Sequence, residues 1–342
     1  MGNTPQNLNT SKKQSARFVE VTSAHAGQRI DNYLMRELKD VPKSYIYRIL
    51  RKGEVRVNKK RIKQTYKLLE GDTVRIPPVF LPEKQATPTA PESLLKAIEA
   101  SIILEDDDLI LINKPSGMAV HGGSGVRYGL IESFRQLRPK MPFVELVHRL
   151  DKETSGIVML AKNRNALLEL HELLKAKGIE NSAKSGAEKN IEKYYQTLVK
   201  GQWQGGERHI KNKLQREQGR KQKVRVVDGG AGAEQGKISE SIFTPLRKYP
   251  NHTLLKVKLI TGRMHQIRTQ LAELGHPILG DSQYGDFALN REVKKQFGLK
   301  RLFLHAYHLK FTLASSGKHY DCEIQLADDL SNCIDKIKEK TE

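Results

Sequence analysis

The sequence predicts an α+β fold built on a mainly antiparallel β-sheet with flanking helices, preceded by a small, strongly basic α/β module. Three observations carry this expectation. Apolar, strand-like runs at 109–112, 157–161, 194–199 and 253–260 are separated by few helices long enough to serve as parallel crossovers. Two short helical patterns followed by short strand patterns fill the region before residue 76. Between these parts, Pro77, Pro78, Pro82, Pro88 and Pro91 crowd a stretch poor in apolar residues, which reads as a semi-rigid linker. The expected order is a disordered basic tail over 1–17, the module over 18–76, the linker over 77–92 and the main domain over 93–342.

Within the module, Ile30, Leu34 and Leu38 keep helical spacing, and Ile46, Ile49 and Leu50 do so again after Pro42 and Ser44, which signal a new helix. Gly53 stops that helix. Val55 and Val57 then lead into an Asn58-Lys59 turn, and Gly71-Asp72 precedes the strand pattern Val74-Arg75-Ile76. Between residues 42 and 67 there are ten basic residues and one acidic residue, Glu54. Arg48 and Arg51/Lys52 share a helical face, while Lys59, Lys60 and Arg61 follow in the turn. An ordinary solvated surface mixes its charges, so this imbalance points to a polyanion.

In the main domain, residues 164–177 form the strongest helical pattern, with Leu167, Leu170 and Leu174 on a broad apolar face. Residues 266–274 form a second, ended by Gly275 and Pro277. Two segments read as insertions. Residues 178–190 are small and polar. Residues 207–225 hold eight basic and two acidic residues and precede a glycine run at 229–232. The second is either a basic hairpin or loop beside a binding cleft, or a solvated insertion.

The net charge of +20, from 59 basic and 39 acidic residues, favours nucleic acid, since neutralised phosphates release their counterions. No apolar run approaches the roughly 20 residues that span a bilayer. Residues 1–14 lack the apolar core of a secretory signal, and Gln6 stands where a myristoylation signal wants Ser or Thr. Cys322 and Cys333 suit neither a disulfide framework nor a zinc site, so a reducing cytoplasm is the simplest compartment. His305 and His308, with no third ligand nearby, read as strand or core residues rather than a metal site. No P-loop or Rossmann fingerprint is present, and no cofactor is expected.

The chemistry concentrates in His148-Arg149-Leu150-Asp151-Lys152-Glu153-Thr154-Ser155-Gly156, a polar loop running into the apolar strand pattern 157–161. Asp151 is a carboxylate at a rigid edge between Arg149 and Lys152, cations that favour its ionised form. Such a group is a nucleophile or a base, or it merely caps a turn.

Residues 148–151 with Thr154-Ser155-Gly156 resemble the catalytic motif of the RluA-type pseudouridine synthases. Three further stretches match in order. They are Ile112-Asn113-Lys114-Pro115-Ser116-Gly117 with His121-Gly122, then Lys193-Tyr194-Tyr195, then Thr261-Gly262-Arg263-Met264-His265-Gln266-Ile267-Arg268 continuing through Gly280-Asp281 to Tyr284-Gly285. Residues 121–125 and Gly201-Gln202-Trp203 resemble the branch that acts on large-subunit ribosomal RNA. The stretch 29–76 resembles an S4-type RNA-binding domain, through Asp31, Leu34, Lys43-Ser44, Gly53, Val55, Val57-Asn58 and Gly71-Asp72.

The resemblance implies an antiparallel sheet with a central cleft and no cofactor. It implies a reaction in which the uridine C1′–N1 bond breaks, the base turns, and C1′ joins C5. Asp151 is then the essential group, Arg268 its ion-pair partner, and Tyr195 the ring beside the flipped base, with Tyr194 the competing assignment. Arg149 stacks in place of the base, grips a phosphate, or forms a structural salt bridge. Lys114, with Asn113, is expected to shape the cleft floor through backbone and phosphate contacts with RNA, and His265 and the module's basic residues are expected to contact RNA. His148 reads as a hydrogen-bonded structural histidine. The implied partner is 23S ribosomal RNA or the precursor of the large ribosomal subunit, bound by a monomer. Two readings compete: the same chemistry on transfer RNA, and a non-catalytic, RNA-binding ribosome assembly factor.

Overall fold

The computed structural model describes residues 13–14, 16–38, 41–80, 89–122, 126, 128–176, 191–217, 223–227 and 236–340. Residues 1–12 of the expected tail, 81–88 of the linker, the insertion at 178–190 and the glycine runs at 123–125 and 229–232 lie outside them. The chain divides into two compact units, Met1–Pro88 and Thr89–Glu342. Among the described residues no helix is long and apolar enough to cross a membrane.

The first unit contains β1 (Lys13–Gln14), β2 (Arg17–Glu20), α1 (Ile30–Glu37), α2 (Lys43–Lys52), β3 (Arg56–Val57), β4 (Lys60–Arg61), β5 (Thr73–Ile76) and β6 (Val79–Phe80). Four strands form an antiparallel sheet in the order β2-β5-β3-β4, and β1 pairs β6. The apolar spacing of α2 turns Ile46, Ile49 and Leu50 into a core shared with Ile30 and Leu34 of α1 and with Val57 and Val74 of the sheet. Gly53 closes α2 in the left-handed conformation, at φ 71°. Asn58 and Lys59, both at positive φ, make the tight turn between β3 and β4. Residues 13–14 and 17, read from sequence as tail, are strand residues here, as are 79–80 of the expected linker. The pairing Val19↔Val74 explains why so short and polar a segment as β2 orders, since its apolar side covers the core.

The second unit contains α3 (Glu92–Ala100), β7 (Ile102–Glu105), β8 (Leu109–Lys114), α4 (Leu130–Leu137), β9 (Glu145–Leu146), β10 (Ser155–Ala161), α5 (Arg164–Lys175) and β11 (Glu192–Lys200). It continues with β12 (Arg208–Arg216), β13 (Val224–Val226), β14 (Lys237–Lys248), β15 (His252–Leu259), α6 (Gln266–Glu273), α7 (Phe287–Phe297), β16 (Leu304–Leu313), β17 (Lys318–Glu323) and α8 (Asp328–Glu339). One large sheet runs β13-β12-β14-β15-β11-β16-β10-β8-β7, with β9 on β10 and β17 on β16. Its pairs are antiparallel except for β10 with β16. Strands β8 and β10 are continuous apolar runs because both faces of the sheet are covered. Ile110, Ile112, Val158 and Leu160 face the core built with α3, α4, α6, α7 and α8. Leu109, Leu111, Ile157 and Met159 face the core under α5. The basic segment around residue 215 is in part a hairpin, with Leu214 opposite Val226.

The β10–β16 seam is where the catalytic-motif loop enters the sheet, and it is closely packed. A Cβ on Gly156, which sits at φ 112°, would lie 2.1 Å from the Ala306 carbonyl oxygen. Opposite Ser155, His305 is fully buried. Arg301 donates to Ser155 Oγ at 3.0 Å, leaving the Ser155 hydroxyl proton for His305 Nδ1 at 2.9 Å. His305 Nε2–H then donates to the Gln325 carbonyl at 3.1 Å, which makes the ring neutral. Arg301 in turn forms a two-pronged bond to Asp329, at the start of α8.

Two outcomes follow from this seam. Gly156→Ala is expected to lower the unfolding free energy by about 3 kcal/mol, read from the urea midpoint; an unchanged midpoint contradicts the close approach. Burial pushes the His305 ring down to about 4, reinforced by Arg301 against the bond to Gln325. The unfolded chain takes this proton near 6.5, so the stabilisation is complete above that pH and lost as pH falls toward 4. Over that window His305→Asn should be less acid-sensitive than wild type, by about 1.4 kcal/mol per pH unit. Equal slopes in pH-dependent urea titrations would show that His305 is not held neutral.

Candidate active site

A cavity of about 800 Å³ opens on the second unit. Its wall brings together the loop 148–154, Lys193 and Tyr195 of β11, the turn 260–265 after β15, and the first turn of α6. Asp151 stands at its edge, with its side chain 27% exposed. The loop bearing it is held from below. Lys114, fully buried, donates from its ammonium to the carbonyls of Pro115, Met118 and Lys152 at 2.9, 2.9 and 3.2 Å. Ser116 Oγ adds a bond to the Glu153 carbonyl at 2.7 Å. Burial pushes the Lys114 ammonium down to about 7, against the pull of Asp151. The expected RNA contact of Lys114 is therefore corrected: the side chain has no exposed face for a phosphate and clamps one loop to another.

Arg268 comes from the first turn of α6 and is 4% exposed. Its Nε and Nη2 grip Asp281 at 2.7 and 2.8 Å, while Nη1 reaches Asp151 Oδ2 at 3.5 Å. The resemblance implied an ion pair with Asp151; the geometry gives Arg268 two carboxylate partners, with Asp281 the tighter. Burial works against both charges. For Asp281 it is outweighed by Arg268 and the backbone amides of Gln283 and Tyr284, which hold the carboxyl below its usual range. For Arg268 it is outweighed by Asp281 and Asp151, which raise the guanidinium further. Asp281 reaches this place because Gly280, at φ 75°, lets the chain pass against the Arg301 carbonyl, where a Cβ would lie 1.9 Å away.

His265 stands before α6 in the left-handed conformation, φ 53°, uncommon for a residue with a side chain. Its Nε2 lies 3.7 Å from Asp151 Oδ2, and its Nδ1 is 2.8 Å from the Tyr284 hydroxyl. That hydroxyl also accepts from the Val224 amide at 2.9 Å; with its own proton given to Nδ1, the ring's N–H faces Asp151. Burial lowers the His265 pKa, with Asp151 opposing. The Tyr284 ring also lies under the Arg268 guanidinium, 5.1 Å from its centroid. His265, expected at the RNA, lines the cavity beside this carboxylate.

Tyr195 is 6% exposed and lines the cavity, and burial with the charge of Asp151 raises its pKa. Tyr194 points to the other face of the sheet, bonded to Glu192 at 2.8 Å and stacked on His308. His148 accepts from the Met159 amide through Nε2 at 3.2 Å, and burial with the nearby Lys193 ammonium pushes its ring down to about 3. Arg149 is exposed at the cavity mouth, where Lys175, Arg216 and Arg263 are exposed too. In the first unit Arg48, Arg51, Lys52, Lys59, Lys60 and Arg61 are all exposed. Arg48 lies over the Tyr45 ring, Lys52 is 4.0 Å from Glu54, and Arg61 also donates to the Arg51 carbonyl.

Asp281 and Tyr284 carry no role in the sequence reading, although both lie within the third matched stretch. Their spacing from Arg268 gives no sign that the chain folds back on it.

Comparison with known proteins agrees with this geometry. Residues 108–273 match the model of the RNA pseudouridylate synthase family, and residues 28–74 that of the S4 domain. The chain is 46% identical over 328 residues to ribosomal large subunit pseudouridine synthase C of Escherichia coli (strain K12), covering 95% of this chain and 97% of that one. It is 45% identical over 330 residues to the protein of the same name from Haemophilus influenzae, covering 95% and 96%. The solved structure of human RNA pseudouridylate synthase domain containing 4 shares the fold, with a TM-score of 0.57 at 22% identity over 72% of this chain and 96% of that one. The identity across nearly the whole length, together with the ordered motifs around Asp151, establishes that this chain belongs to the RNA pseudouridylate synthase family.

Proposed function

We propose that this protein converts specific uridines of large-subunit (23S) ribosomal RNA to pseudouridine, with Asp151 as the essential group. The observation that carries the reading is the placement of Asp151 at a cavity edge, aimed by Arg268 and His265 and faced by Tyr195. The similarity to relatives named for the large ribosomal subunit supports the substrate class.

The target nucleotide leaves its stack and enters the cavity, at a cost of a few kcal/mol. Arg149, exposed at the mouth, takes the vacated stacking place or holds a flanking phosphate. Asp151 works on the sugar, by attack at C1′ or removal of the C2′ proton. Either route breaks C1′–N1 with the electron pair leaving on uracil. The base turns and C5 bonds to C1′, displacing the Asp151 carboxylate in the first route or, in the second, as the proton held by Asp151 returns to C2′; the C5 proton is then released and N1 takes one up. Atoms and electrons balance within the nucleotide, so no cofactor is required. Tyr195, whose phenol is kept neutral by burial and by Asp151, serves as a stacking surface rather than a base.

RNA is held by charge. The cavity mouth carries Arg149, Lys175, Arg216 and Arg263, and the S4 unit offers Arg48, Arg51, Lys52, Lys59, Lys60 and Arg61. Ribosomal RNA as substrate places the protein in the cytoplasm.

The test is a pseudouridine map of ribosomal and transfer RNA after incubation with wild type and with Asp151→Asn. Sites in 23S RNA are expected with wild type alone, while the variant binds RNA within about threefold of wild type. Sites on transfer RNA only would move the substrate, and sites made equally by Asp151→Asn would remove Asp151 from the chemistry.

A further inference from the structure

Lys193 is the second residue of β11 and is 9% exposed, yet its side chain lines the cavity. Among the described residues its ammonium has no hydrogen bond and no ion pair. Lys114, fully buried, is satisfied by three carbonyls, whereas Lys193 turns its remaining exposed face to the cavity. An ammonium taken out of water without a counter-charge is strongly unfavourable, and buried charges are ordinarily paired. A lone buried cation at the wall of a catalytic cavity is therefore completed by something that enters the cavity.

The entering group is identified by depth and by charge. The exposed cations at the mouth meet the phosphates, whereas Lys193 lies within the wall. Lys193 and Tyr195 are two positions apart on one strand, so their side chains share a face about 7 Å apart. A base stacked on Tyr195 brings an edge toward Lys193. Asp151 stands at the cavity edge, whereas the Lys193 ammonium lies against the turn after β15, 3.9 Å from the place a Cβ on Gly262 would take. The edge of uracil remote from the glycosidic bond carries the C4 carbonyl. When C1′–N1 breaks, the charge left on N1 is delocalised onto the ring carbonyls. Arg268 is already engaged with Asp281 and Asp151 and is not free to take that charge.

We propose that Lys193 donates a hydrogen bond to the C4 carbonyl of the flipped uracil and stabilises the uracilate between C1′–N1 cleavage and C1′–C5 closure. This rests on the pseudouridine synthase reading above and names a further catalytic residue for it. An ammonium has three donors and no acceptor, so the same contact rejects cytosine, which presents an amino group at C4. Burial pushes the Lys193 ammonium down to about 8, so the contact is present at neutral pH and lost as pH rises past that value. Of the titratable groups around it, His148 and His265 lose their protons at lower pH than an ordinary histidine and Tyr195 at higher pH than an ordinary tyrosine. Its strand partner on β16, Leu309, and Gly262 beside the ammonium carry no charge, and the charges of Lys175, Arg216 and Arg263 are exposed at the mouth.

The test is single-turnover conversion of 23S ribosomal RNA by wild type, Lys193→Met and Lys193→Arg from pH 6 to 9.5, with RNA affinity measured alongside. Lys193→Met should slow conversion at saturating protein by about 100-fold or more, with affinity within about threefold. Wild type should show a fall in rate with a midpoint near 8, absent from Lys193→Arg, which stays protonated. Lys114, titrating near 7 beneath the loop, is common to both proteins and cancels in the comparison. A Lys193→Met rate within threefold of wild type overturns the proposal. So does a variant with weakened affinity, a shallower salt dependence and an unchanged rate, which would make Lys193 a phosphate contact. If Lys193→Met does not fold, the proposal falls should the pH profile of Lys193→Arg match wild type. A wild type inactive on every RNA is a different result, which refutes the parent reading.

Discussion

The two-pronged pair between Arg268 and Asp281 fixes the frame on which the site depends. Both side chains are almost completely buried, so neither charge can find water if the other is removed. The pair leaves one guanidinium nitrogen directed at Asp151, and the flat face of the same guanidinium lies against Tyr284. Tyr284 holds His265 through Nδ1, and His265 Nε2 lies 3.7 Å from the same carboxylate oxygen that faces Arg268. Asp151 is thus aimed by two groups that are themselves held by a third layer. That arrangement holds the carboxylate toward the cavity and resists its rotation.

The sheet supports this frame from the opposite side. Asp151 sits just before the strand that makes the single parallel pairing among the described strands of the large sheet, and that pairing admits only glycine at 156. Lys114 draws the loop carrying Asp151 onto the loop after β8. Arg301 connects the seam to α8. The loop is therefore set by contacts that are distant in sequence, from residues 114, 301 and 305, rather than by its own turn.

These distances explain what the sequence could and could not reveal. Helices α5 and α6 were legible because their apolar spacing is regular and their ends carry Gly275 or a sharp loss of pattern. Strands β8 and β10 were legible as apolar runs, although only the structure shows that their continuity reflects two buried faces. Tyr195 and Arg268 were placed beside Asp151 by resemblance, and Tyr194 was separated from Tyr195 by strand alternation. Strand β16, the central partner of β10 and β11, was legible only through His305 and His308, read as strand or core residues, because two histidines and a lysine interrupt its apolar pattern. The backbone contacts of Lys114 were expected, but nothing local in its sequence signals three carbonyl partners that leave no face for a phosphate. Asp281 was overlooked as the anchor of Arg268 for a related reason: the turn at Gly280 that brings it back is a tertiary event.

The account turns on Asp281 acting through Arg268 upon Asp151, and the most direct test is a double-mutant cycle on the single-turnover rate. Arg268→Gln and Asp281→Asn should each slow conversion by about 100-fold with RNA affinity nearly unchanged, and the double variant should be no slower than the worse single one. Effects that multiply in the double variant, or a wild-type rate in Asp281→Asn, would contradict it.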